Sequence, residues 1–187
     1  VSEIRINGIV SESITDGPGI RYTVFTQGCA HNCPGCHNPE THDYNGGSFK
    51  STEEMLEAIR RDPMITGVTL SGGEPFDQAD KLLEFAKAVK EMKLELAAYT
   101  GYIYEKLLSE GGSREELLRL LDVVIDGPFI MEQRNLDIRF KGSENQRIID
   151  VPASLSRGEV VLRGRTLDRR RRSFPCHCPR ASLISVT

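Results

Sequence analysis

Four times along this chain, a short β-branched or apolar run ends in a loop of unusual composition. Residues 20–27, "IRYTVFTQ", lie between the turn-forming "DGPG" and a cysteine-rich loop. Residues 65–71, "ITGVTLS", run into "GGEP"; "LELAAY" runs into "TGY"; and "DVVI" runs into "DGPF". Helical patterns separate these runs. "STEEMLEAIRRDP" offers a capping box of Ser51 with Glu54, apolar Met55, Leu56 and Ile59, and a stop near Pro63. A second helix is expected to open at Asp77 and to bury Leu82, Phe85, Ala86, Val89 and Met92, which recur every three or four residues. "REELLRLL" reads as a third, with Ser113 as N-cap and Glu116 three residues on. Strands joined by crossovers of helical length pair in parallel, and right-handed crossovers place the helices against the sheet. The expected fold is therefore α/β. Four strands are too few to close an eight-stranded barrel, which leaves a partial (β/α) TIM-like barrel of parallel strands with crossover helices. The loops that follow strand C-termini in such architectures share one rim, where sites are assembled.

One of those loops, "QGCAHNCPGCHNPETHD", holds three of the chain's five cysteines, Cys29, Cys33 and Cys36. An odd number of cysteines crowded in this way is a poor disulfide framework and a good metal cluster, which points to a reducing cytoplasm. Two fillings are open. A Cys3His zinc site would take its fourth ligand from His31, His37 or His42, or from Cys176 or Cys178. Alternatively, three thiolates hold a [4Fe–4S] cube with one iron left free, although such cubes ordinarily take four cysteines.

The remaining motifs each admit a plain structural reading beside a functional one. Gly72 and Gly73 of "SGGEP" suit a turn, or a close backbone approach to a small ligand, with Glu74 accepting from an amine. Arg21 is either an ion-pair partner or an anchor for a carboxylate, whereas Asp16 of the same "DGPGIR" reads as structural. Asp126 suits a ribose hydroxyl or a cap. Tyr99 and Tyr102 suit packing, and "GSENQRIID" reads as a loop entering a strand.

Bulk properties narrow the function classes. With 187 residues, 39% hydrophobic and 27% charged, the chain is expected to form an ordinary globular domain. It has no apolar run approaching the roughly 18 residues of a membrane span and no secretory signal pattern. From Arg157 onward there are about 8 arginines and 2 acidic residues, which leaves the rest near −9. An acidic body disfavours nucleic acid as a partner. The expected organisation is one domain over 1–162 and an Arg-rich, disordered tail over 163–187.

Taken together, "GCAHNCPGC" and "SGGEP" resemble the radical S-adenosylmethionine (SAM) enzymes, whose signature is C-x3-C-x2-C with a downstream GGE. "DGPGIR" and "CHNPET" resemble the glycyl-radical-enzyme activating group. "CPGCHNPETHD", "TGY", "DGPF" and "GSENQRIIDV" are similar to its anaerobic ribonucleoside-triphosphate reductase activating branch, over residues 4–162. The resemblance implies one [4Fe–4S] cluster on Cys29, Cys33 and Cys36, with SAM chelating the open iron. It implies SAM contacts from Gly35, Cys36 and His37 and from Gly72, Gly73 and Glu74, and further SAM or partner contacts from Arg21, Tyr102 and Asp126. It implies reductive cleavage of SAM to methionine and a 5′-deoxyadenosyl radical, which makes a glycyl radical on the reductase large subunit. Reduced flavodoxin is the implied electron donor, and no side chain need act as acid or base because the cofactors carry the chemistry. A short, wide-rimmed fold suits a substrate that is a loop of another protein. Many radical SAM enzymes have an aromatic residue where this chain has Gly35. The pyruvate formate-lyase activating type is the alternative within the group. Outside it stand a zinc-binding structural module and an electron-transfer iron–sulfur protein.

Overall fold

The computed structural model describes residues 2–164, so the expected Arg-rich tail, with Cys176 and Cys178, lies outside the described residues but for its first two positions. Among the described residues, the strands are β1 (Glu3–Ser13), β2 (Arg21–Thr26), β3 (Ser48–Ser51), β4 (Gly67–Gly72), β5 (Glu95–Tyr99), β6 (Val123–Asp126) and β7 (Arg147–Asp150). The helices are α1 (Thr52–Arg61), α2 (Ala79–Glu91), α3 (Tyr104–Glu110), α4 (Gly112–Leu120) and α5 (Val151–Arg157).

All seven strands form one sheet in the order β3-β1-β2-β4-β5-β6-β7. β2, β4, β5 and β6 pair in parallel, which are the four strands expected from the sequence. Three antiparallel strands flank them: β1 on β2, β3 on β1, and β7 on β6. The sheet is therefore mixed and open, and the all-parallel arrangement expected from the sequence is corrected. β1 and β3 went unread because their side chains alternate only weakly; β1 is half exposed and broken by register shifts at Ile6/Gly8 and Val10/Ser13.

The period of two along each central strand divides the sheet into two faces. Tyr22, Val24, Val68, Leu70, Leu96, Ala98 and Val124 share one buried cluster with residues of all five helices, including Met55, Phe85, Leu107, Leu118 and Val151. The helices thus cover a single face. Each large apolar side chain removed from water there contributes about 1.5–3 kcal/mol. The opposite face carries Ala97, Val123 and Ile125 as a small second cluster, with Tyr99 and Ile148 against it. Polar Arg21, Thr23, Thr69 and Ser71 alternate with the core-facing residues and are also buried.

Local expectations fare unevenly. Leu82, Phe85, Ala86 and Val89 are buried on α2 as their spacing required. The helix begins at Ala79, after a 3-10 turn over Pro75–Gln78 that contains Asp77. Ser51 is the N-cap of α1 but makes no side-chain cap bond, and the side chain of Glu54 pairs with Lys50. Ser113 lies within α4, whose N-cap is Gly111.

Arg21 stands apart from the other site candidates. It lies level with Gly67 and Glu95, at the edge opposite the cysteine loop. The residue is fully buried: its Nε donates to Thr69 Oγ1 (2.6 Å), its Nη2 to the Val68 carbonyl (2.6 Å), and its Nη1 to Glu95 Oε1 (3.0 Å). The carboxylate it anchors is thus the chain's own. Glu95 is also held by Arg163 Nη2 (2.7 Å), so the ordered chain continues past residue 162. Burial lowers the guanidinium's pKa, and the charge of Glu95 opposes that shift. Replacing Arg21 with Met strands these acceptors, so we expect a loss of about 3 kcal/mol of stability, measured by urea denaturation. A loss below about 1 kcal/mol would show that the network contributes only as a surface pair does.

Candidate functional site

Thr26, Gly72, Tyr99 and Asp126 end the four parallel strands on one edge of the sheet, and the loops leaving that edge enclose a cavity of about 640 Å³. Its walls include Cys29, Cys33, Cys36 and His37 from the first loop, and Gly72 and Gly73 from the second. Thr100 and Gly101 come from the third, and Gly127 and Phe129 from the fourth. That volume is in the range of sites that enclose a cofactor-sized molecule.

The cysteine loop is closed at its neck by backbone bonds. Gly28 N donates to Thr41 O (2.8 Å) and Cys29 N to His42 O (3.2 Å). Between these ends the chain turns through Asn32 (φ 47°) and Gly35 (φ 71°), and Cys36 N donates to Cys33 O (3.1 Å). A Cβ on Gly35 would stand 2.7 Å from Met131 Sδ, so this thioether occupies the space an aromatic residue would need there. All three cysteines are free and partly exposed. Burial pushes the Cys29 thiol up to about 11, partly offset by the neighbouring amides of His31 and Asn32. Asn38 N donates to Cys36 Sγ (3.4 Å).

The two glycines are needed because backbones meet. A Cβ on Gly72 would lie 2.7 Å from the backbone at Phe25 and Thr26, and one on Gly73 would lie 2.4 Å from the Gly28 carbonyl. Gly73 N donates to Thr26 O and Glu74 N to Gly28 O, both at 2.8 Å, so this segment is bonded to the root of the cysteine loop.

The side chain of Glu74 does not line the cavity. It is 1% exposed, and its carboxylate accepts from Phe76 N (3.0 Å), Gly101 N (2.9 Å) and His31 Nε2 (2.8 Å), with the Thr100 hydroxyl 2.9 and 3.0 Å from its two oxygens. The carboxylate of Glu74 is thus bonded to groups of the protein itself. Asp126, also 1% exposed, accepts from Tyr104 N (2.8 Å) and from Arg147 Nε (2.9 Å) and Nη2 (2.5 Å). The carboxylates of Asp126 and Glu105 together raise the pKa of Arg147. Tyr102 lies outside the cavity wall, edge-on to His31 at 4.6 Å, and its hydroxyl donates to Asp77 Oδ1 (2.9 Å). Burial, then that hydrogen bond, pushes the phenol up to about 12.

Three wall residues of the β6–β7 segment escaped the sequence reading: Leu136, Phe140 and Lys141, from the part between "DGPF" and "GSENQRIID". Gln146 lies within the latter, read there only as a loop entering a strand. His42, considered there only as a zinc ligand, contributes a ring whose buried Nε2 has no partner among the described protein atoms. The one available signal was its place in the cysteine-loop segment.

This donor set suits an iron–sulfur cube better than a single ion. No three His, Cys, Asp or Glu side chains among the described residues converge closely enough to hold one metal ion. A zinc ion needs its ligands within about 2.3 Å of one point, whereas a cube spreads its thiolates over separate irons. The chain would hold the cube through Cys29, Cys33 and Cys36, with the Asn38 amide already directed at the Cys36 sulfur.

Comparisons with known proteins agree with this chemistry. The profile of the 4Fe-4S single cluster domain family matches residues 15–149. The anaerobic ribonucleoside-triphosphate reductase-activating protein of Vibrio cholerae is 36% identical over 145 residues, covering 72% of this chain and 90% of that protein. The pyruvate formate-lyase-activating enzyme of Clostridium pasteurianum is 40% identical over 127 residues, covering 65% of this chain but only 50% of that enzyme. Among solved structures, QueE from Escherichia coli superposes with a TM-score of 0.42 at 20% identity, over 53% of this chain and 52% of that one.

Gly73→Ala drives a methyl group into the Gly28 carbonyl. We expect it to cost about 1–3 kcal/mol in thermal or urea unfolding and to lower iron uptake on reconstitution. Unchanged stability and iron content would show that the two backbones separate freely.

Proposed function

We propose that this chain, which belongs to the 4Fe-4S single cluster domain family and to the anaerobic ribonucleoside-triphosphate reductase-activating proteins, radical SAM enzymes, generates the glycyl radical of an anaerobic ribonucleoside-triphosphate reductase. The observation that carries this reading is the meeting, in one cavity, of three free cysteines and the Gly72–Gly73 backbone. When bound and reduced, the cluster supplies the electron that cleaves SAM to methionine and a 5′-deoxyadenosyl radical. Hydrogen abstraction from a glycine Cα of the partner would then leave 5′-deoxyadenosine and the stored radical.

The protein's own contribution is placement. Cys36 and His37 line the side of the cavity that would face SAM, with Gly35 next to them in the chain, and Gly72 and Gly73 expose backbone to its amino-acid end. Phe129, which packs on His37 at 5.0 Å, and Phe140 give the cavity an apolar flank that would limit water around a reactive intermediate. We read the open sheet as a partial (β/α) barrel of the radical SAM type. Its parallel β2-β4-β5-β6 group and its helices on one face support this reading.

We further take the large reductase subunit as partner and a reduced flavodoxin as electron donor. We assign the chain to the cytoplasm, a reading supported by its three free thiols. No helix among the described residues is long and apolar enough to cross a membrane. The pyruvate formate-lyase type remains a second reading because of the 40% identity to that enzyme, whose length this chain half spans. Coverage of 90% of the reductase-activating protein favours the first.

Anaerobically purified protein is expected to be brown, with about four irons and four sulfides per chain, and to form 5′-deoxyadenosine from SAM once reduced. Cys33→Ala should abolish that product. A colourless protein holding one zinc, or a Cys33→Ala variant as active as the parent, would refute the assignment. Incubation with SAM, reductant and either glycyl-radical protein distinguishes the two activating types by which partner develops an EPR doublet.

A further inference from the structure

Glu74 is the most densely bonded carboxylate at this rim, and one of its partners, His31, lies between two of the cysteines. We propose that His31, acting through Glu74, is a positioning residue: with Thr100, Gly101 and Tyr102 it forms a clasp that fixes the cysteine loop against the Gly72–Gly73 backbone. This rests on the reading that Cys29, Cys33 and Cys36 carry the cluster.

Packing of His37 on Phe129 and of Met131 beside Gly35 also restrains the loop. Its neck is closed at Gly28 and Cys29, and the turn at Cys33–Cys36 is internal. Among the described residues, the bond from His31 Nε2 to Glu74 Oε2 (2.8 Å) is the one side-chain hydrogen bond tying residues 30–37 to another part of the fold. Glu74 holds the loop twice, because its own backbone N–H donates to the Gly28 carbonyl at the loop's root.

The ring of His31 is also shaped into place. A Cβ on Gly101 would come within 2.4 Å of His31 Cδ2, so only glycine leaves room for the imidazole against this backbone. Tyr102 closes the other side edge-on and is itself fixed: its hydroxyl bonds Asp77, and Arg114 stacks 4.6 Å from the ring centre while donating to the same carboxylate at 2.9 Å. The "TGY" segment therefore supplies a hydroxyl and an amide for Glu74, a flat bed for His31, and a wall.

The consequence reaches the thiolates. His31 stands two residues from both Cys29 and Cys33, so a ring held by Glu74 holds the backbone that carries these sulfurs. Hydrogen bonds to cluster sulfurs help set reduction potential, and partners of metal ligands affect metal retention. Because Glu74 is buried, Glu74→Ala risks unfolding. His31, whose side chain is 20% exposed, is the safer position to vary.

The test compares the parent chain, His31→Ala and His31→Gln, the last keeping an N–H able to reach Glu74. In apo protein of unchanged circular dichroism, hydrogen exchange over residues 29–37 and at the Gly101 amide should quicken about tenfold in His31→Ala. In anaerobically reconstituted protein, the same variant should release iron to a chelator about tenfold faster. It should also shift the cluster's midpoint potential and weaken the change that SAM makes in the EPR spectrum of the reduced cluster. His31→Gln should recover most of each effect. Exchange and iron release within about twofold of the parent would overturn the clasp. A parent chain that took up no cluster would overturn the proposed function itself, and the apo exchange measurement distinguishes that failure from a failure of the clasp.

Discussion

The carboxylate of Glu74 is buried at the point where three loops meet. A charge removed from water is tolerable only when it is paired or surrounded by donors. Here the donors come from the cysteine loop through His31, from the loop after β5 through Thr100 and Gly101, and from the turn before α2 through Phe76. Apart from the 3-10 turn over Pro75–Gln78, these segments lack regular structure. Satisfying this one group brings all three together beside the cavity.

The sheet supplies the frame on which that convergence depends. Parallel pairing brings the strand ends level, and one face is given over to the helices, so the loops can close only over the strand ends and the other face. At the far edge the buried Arg21–Glu95–Arg163 network closes the bottom of that face. At the near edge Arg147 ties Asp126 to the last strand. Charged residues at both edges are thus used to assemble the frame, while glycine backbone, cysteine sulfur and aromatic faces are left for the cavity.

How much of this could be read beforehand varies with the physical origin of each signal. The central strands were legible because they are buried on both faces and read as near-continuous apolar or β-branched runs, as in "GVTLS" and "DVVID". α2 was legible because its buried residues repeat with the turn of a helix. β1 and β3 were not, because edge strands with mixed exposure leave only weak alternation. The cysteines and the glycine pair were legible as a site from their spacing. The charged candidates kept a structural and a functional reading side by side for a common reason: Arg21 begins β2, Asp126 ends β6 and Glu74 follows β4, where a charge serves a ligand or a neighbouring element equally well.

By itself, then, the sequence determined the chemistry available and the edge of the sheet on which it would gather. Residue identity and short-range periodicity are local properties, and the covalent chain carries them whatever the fold. Tertiary structure alone decided how each charge is spent. Arg21 meets Glu95 across 74 positions of chain, and His31 meets Glu74 across 43. Those distances close only when parallel pairing brings the strand ends together, because a buried charge takes its meaning from partners that no short window of sequence contains.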